Sequence, residues 1–74
     1  MEKKDLVLSV FEKLKKECSV NFSIQENKET YLDILLETDI LTKYNLFILD
    51  ELSSFADYNI FPTTGYKFLI SIIF

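Results

Sequence analysis

Two acids at the end of an apolar run are the first residues in this chain that could do chemistry. NLFILDEL, residues 45 to 52, sets Leu46, Phe47, Ile48 and Leu49 ahead of Asp50 and Glu51. A strand that ends in this way is how nucleotide-hydrolysing domains hold magnesium. That use needs a glycine-rich loop, with a lysine and a hydroxyl residue, to cradle the phosphates. The one glycine, Gly65, runs on into Tyr66, Lys67 and Phe68, and the chain has no arginine to stabilise a transferred phosphoryl group. Asp50 and Glu51 therefore read as solvated acids on the polar side of a helix.

The other candidates are tested in the same way. Glu26, Glu29, Asp33, Glu37 and Asp39 crowd together, but without the alternate spacing and central glycine of a calcium loop. With no histidine and one cysteine, the ligand set of a zinc site is missing. Cys18 would be a nucleophile only with a base beside it, and no histidine exists to serve; a small core residue at the end of a helix is the better reading. Two carboxylates suffice for glycoside hydrolysis, yet 74 residues offer little cleft for a sugar polymer. The expectation is a protein that is not an enzyme, with no catalytic residue, no metal and no cofactor.

Charge narrows the partners. Eight lysines face twelve acids, for a net charge of −4. Lys3, Lys4, Lys13, Lys15 and Lys16 gather near the N-terminus, but acids interleave them. Nucleic-acid affinity comes from a basic face that neutralises phosphates; an acidic surplus repels them, so no nucleic-acid partner is expected. The surplus keeps a small apolar domain dissolved, or it offers an acidic surface to a basic partner. The start, MEKKDLV, lacks a signal-like apolar stretch, and no apolar run is long enough to span a bilayer. A single cysteine forms no internal disulfide. No membrane association and a cytoplasmic setting are the expectations.

Any site must be held by regular elements, and the periodicities place them. Residues 3 to 17 put Leu6, Val7, Val10, Phe11 and Leu14 on one helical face, with Glu12 and Lys16 spaced for an ion pair. Residues 19 to 25 alternate strictly: Val20, Phe22 and Ile24 inward, Ser19, Asn21, Ser23 and Gln25 outward. ENKE, 26 to 29, is a turn in which Asn27 supplies the left-handed residue. Residues 30 to 38 continue as the second strand of a hairpin, with Leu32, Ile34 and Leu36 inward; a helix over 29 to 43 competes, because Tyr31, Leu32, Leu35 and Leu36 also fit helical spacing. From Asp39, capped by Thr38 or Asp39, a second helix carries Ile40, Leu41, Tyr44, Phe47, Ile48, Leu52 and Phe55 as its apolar stripe. DYNIF is a short strand, PTTG a turn with Gly65 at positive φ, and YKFLISIIF a β-prone last strand.

Sliding the chain on itself by about 38 residues aligns helix with helix and hairpin with hairpin. Leu14 meets Leu52, Cys18 meets Ala56, Asn21 meets Asn59 and Asn27 meets Gly65. The match favours the strand over the helix for 30 to 38. It also suggests that one small domain, residues 1 to 74, is built from two α-β-β units, 1 to 37 and 38 to 74.

The expected fold is α+β: an α-β-β-α-β-β two-layer sandwich whose four-stranded, mostly antiparallel sheet carries both helices on one face. Its other face then bears Tyr31, Leu35, Leu69 and Ile73 beside Asp33 and Glu37. A solvent-facing sheet with such a patch calls for a cover, and the uncharged tail FLISIIF is an aggregation hazard unless paired. These six residues are the candidate partner-binding set. The functional expectation is a small acidic protein-interaction module that associates with itself through this face. The alternative is a small acidic inhibitor, bacterial or viral, that occludes a basic surface of a nucleic-acid-handling protein.

Overall fold

The computed structural model describes residues 2–65 and 67–74. Its elements run α1 (Lys3–Cys18), β1 (Asn21–Asn27), β2 (Tyr31–Glu37), α2 (Lys43–Leu49), a 3-10 turn (Asp50–Ser54), β3 (Asp57–Thr63) and β4 (Lys67–Ile73). The α-β-β-α-β-β order is the expected one. Residues 31 to 37 form a strand, so the competing helix is excluded. Tyr66, read as the first residue of the last strand, lies outside the described residues.

Helix α1 forms because one face buries Val7, Val10, Phe11 and Leu14, while Asp5 in its first turn and Lys15 and Lys16 in its last suit the helix dipole. It ends at Ser19, whose φ of 57° turns the chain so that the Ser19 and Val20 amides donate to the Lys15 and Leu14 carbonyls. This is a correction for Asn27. Among the described residues, positive φ belongs to Ser19 and to Gly65 (φ 80°), not to Asn27. Asn27 is the last residue of β1, and its side-chain carbonyl accepts from Lys4 Nζ at 2.6 Å.

The sheet is antiparallel throughout, in the order β1-β2-β4-β3. Each hairpin places its second strand at the centre and its first at an edge. Strand β1 carries a bulge between Ile24 and Glu26, which twists that edge and discourages pairing with another chain. Past Phe22, whose ring lies 5.7 Å from that of Phe11, the strand leaves the core, and Ile24 is 46% exposed. The core is closed by Leu32, Ile34 and Leu36 from β2, Ile70 and Ile72 from β4, the α1 face, and Ile48, Leu49 and Leu52 from the second helical segment. Both helices thus cover one side of the sheet.

The second helix is shorter than its apolar stripe suggests. Thr42, not Thr38 or Asp39, caps it: Thr42 Oγ1 accepts from the Asn45 amide and Asn45 Oδ1 accepts from the Thr42 amide, each at 3.1 Å. This reciprocal box fixes the start. Seven residues then rotate only Asn45, Ile48 and Leu49 into the interior, and Leu52 follows from the 3-10 turn. Ile40 (63% exposed), Tyr44 and Phe47 (72%) stay outside, against the expected stripe. The ion pair between described residues joins Lys13 to Glu51 at 3.0 Å and ties α1 to the 3-10 turn; the Glu12–Lys16 pair read from spacing is not formed. Replacing Thr42 by Ala removes the Oγ1 acceptor of the Asn45 amide and is expected to lower stability by about 0.5–2 kcal/mol, measured as a shift of the urea midpoint; no shift would deny the cap a role.

Candidate functional site

The register of the sheet organises its outer face into rows. Ser23, Leu35, Leu69 and Phe61 stand opposite one another from β1 to β3. The next row is Glu26, Asp33, Ser71 and Asn59, and beyond it Tyr31, Ile73 and Asp57. At the other end Lys67 stands opposite Thr63, and one step along the β2–β4 register brings Glu37 opposite Lys67. The rows alternate in chemistry: one apolar across three strands, one polar, one mixed, one charged. Strands alternate their side chains between faces, so the burial of Leu32, Ile34, Leu36, Ile70 and Ile72 against the helices is what turns these rows outward.

All six residues expected to bind a partner (Tyr31, Asp33, Leu35, Glu37, Leu69 and Ile73) lie on this one face, on the adjacent central strands. Ile73 is 47% exposed, while Tyr31, Leu35 and Leu69 are half-buried by their own neighbours. The structure adds Phe61, at 49% exposure, and the acids Glu26 and Asp57. The alternation of Asp57 and Phe61 within DYNIF is visible in the sequence, but only the pairing of β3 with β4 puts them in these rows; Glu26 joins its row through the pairing of β1 with β2.

Two polar features stand out. The Tyr31 hydroxyl donates to the Glu26 carboxylate, and that bond, more than burial, holds the Tyr31 phenol above its ordinary pKa. Asp33, between Glu26 and Ser71 in the register, has its Oδ1 shut off from solvent with no hydrogen-bond partner among the described residues. A buried acceptor left unpaired costs about 1–3 kcal/mol.

The residues first considered for chemistry lie elsewhere. Asp50 and Glu51 occupy the 3-10 turn on the helical side. Asp50 Oδ1 accepts from the Tyr58 hydroxyl at 3.4 Å, and burial is the main cause that raises the Tyr58 phenol. Cys18 closes α1, half-buried against the core. No three acid or cysteine side chains among the described residues come together in a way that could hold a metal ion. An open recess of about 340 Å³ between the start of α1 and Phe74 is lined by Glu2, Lys3, Lys4, Glu29 and Phe74. Lys4 Nζ is already engaged there by Asn27 Oδ1 and the Lys28 carbonyl, both at 2.6 Å. No helix among the described residues is long and apolar enough to cross a membrane.

Comparison with known proteins finds no matching family model, no matching curated protein and no matching solved structure.

Proposed function

We propose that the protein is a non-enzymatic interaction module that binds through the outer face of its sheet, with a second copy of itself as the occupant. The observation that carries this reading is the Leu35–Leu69–Phe61 row, which crosses three strands of a face that neither helix covers. Monomeric proteins rarely leave a contiguous apolar patch bare, and a 74-residue chain gains proportionately more than a large one from burying extra surface.

The test is Leu69→Lys. A charge at the centre of the apolar row is expected to raise the dissociation constant of the dimer by about a hundredfold, because a buried unpaired charge costs several kcal/mol. Sedimentation equilibrium reads the mass, and circular dichroism confirms that the fold is kept. An unchanged mass with an unchanged fold would remove the reading.

A second reading is favoured by charge: Glu26, Asp33, Glu37 and Asp57 share the face with one lysine, Lys67. Such a face suits the occlusion of a basic surface on a nucleic-acid-handling protein. Affinity for that partner falls steeply as salt rises, whereas self-association centred on the apolar row depends far less on salt.

A further inference from the structure

The outer face carries its own complement. Strands β2 and β4 lie side by side at the centre, with Tyr31 opposite Ile73, Asp33 opposite Ser71, Leu35 opposite Leu69 and, by continuation, Glu37 opposite Lys67. A twofold axis that runs along the strands, midway between β2 and β4, lays β2 of one copy over β4 of the other with no shift along the strand. Every β2–β4 pair within the sheet then becomes a pair between sheets. Leu35 meets Leu69, Tyr31 meets Ile73, and Glu37 meets the Lys67 ammonium. The Ser71 hydroxyl arrives over the Asp33 side chain. Toward the edges Phe61 faces Ser23, and the Asn59 amide faces Glu26.

A twofold axis across the strands that lies on the apolar row stacks that row on itself but sets Asp33 on Glu37 of the other copy, acid against acid. An axis across the strands at the middle of the face does no better. It would set the Leu35–Leu69–Phe61 row on the Asp33–Ser71–Asn59 row, and Lys67 on Ile73, leaving buried polar groups unpaired. We propose that two copies of this chain pack sheet against sheet about the axis along the strands, joined at the centre by Leu35–Leu69 contacts and locked in register by two reciprocal Glu37–Lys67 pairs. This inference rests on the self-association reading above and adds to it the symmetry and the residue pairs. A twofold interface is self-complementary by construction, and sheets that pack face to face keep their strands nearly aligned. Four strands of seven residues give a projected face of roughly 19 by 23 Å, about 440 Å² per copy. That is below the ~800 Å² per partner of a standard stable complex. The dimer is accordingly weak and reversible, with a dissociation constant on the order of micromolar or above.

Charge reversal separates this arrangement from any other use of the face. Glu37→Lys alone sets lysine against lysine at both reciprocal contacts; Lys67→Glu alone sets acid against acid. Each variant is expected to self-associate about tenfold more weakly than the unmodified chain. Mixed in equal amounts, the two restore opposite charges at both contacts, and a heterodimer of near-original affinity forms. Sedimentation at low salt, with one variant dye-labelled, reads all three species; circular dichroism confirms that each variant is folded. A mixture that associates no better than either variant alone, beside an unmodified chain that does dimerise, overturns the axis while the face remains the interface. An unmodified chain that stays monomeric to near-millimolar concentration overturns both the axis and the self-association reading.

Discussion

Phe11→Ala is expected to remove a large share of the protein's stability. The ring is fully buried, packs 5.7 Å from Phe22, and belongs to the helix face that closes over the sheet. Truncating a buried Phe costs about 3–5 kcal/mol, the lost transfer energy plus the cavity left behind. At about 0.05–0.15 kcal/mol per residue, a chain of this length has roughly 4–11 kcal/mol in total. The deletion therefore removes about a quarter of the stability at the least and all of it at the other extreme. Urea unfolding followed by circular dichroism should show a much lower midpoint with an unchanged slope. A loss below about 1 kcal/mol would mean that α1 does not cover the sheet through Phe11.

The second large effect compares neighbours on one strand. Ile34 and Leu35 are adjacent in β2, but Ile34 is fully buried opposite Ile70 under the helices, and Leu35 sits opposite Leu69 on the outer face. Ile34→Ala is expected to cost about 2–5 kcal/mol of stability. Leu35→Ala is half-buried in a single copy, so its cost to the isolated fold should fall below about 1.5 kcal/mol, while self-association weakens. Unfolding at a concentration too low for dimer reads the first effect, and the concentration dependence of the sedimentation mass reads the second. Equal stability losses from both would mean that β2 is buried on both faces, and the outer-face proposals would fall with that.

The same pair of residues shows where local reading succeeds. Which side of a strand a residue takes is set by a period of two, so Ile34 inward and Leu35 outward follow from alternation alone. The four buried residues of α1 were legible from the helical period, and the three inward residues of β2 and the separation of Tyr31, Asp33, Leu35 and Glu37 from the core from the period of two. The positive φ of Gly65 also follows from residue type, because glycine has no Cβ to obstruct that conformation.

Other features depended on choices that periodicity does not encode. An apolar stripe from Ile40 to Phe55 fits a long helix on paper. The chain instead starts the helix at Thr42, because the reciprocal bonds with Asn45 satisfy two amides at that point, and Phe47 and Tyr44 are then rotated out of the core. Asn27 has the chemistry of a left-handed turn residue, yet Ser19 takes that conformation where α1 must stop and β1 begin. Phe61 joins Leu69 and Leu35 only because β4 lies between β2 and β3.

From its own order of residues the chain determined the apolar stripe of α1, the alternation of its strands, an acidic surface and a sheet with one oily side left over, because these depend on side chains a few positions apart. Tertiary structure alone decided which strands became neighbours, and hence that Leu35 stands beside Leu69 and that the same register, continued one step, brings Glu37 to Lys67. Those contacts join residues some thirty positions apart, so they are selected by the packing of the whole core and by no local period.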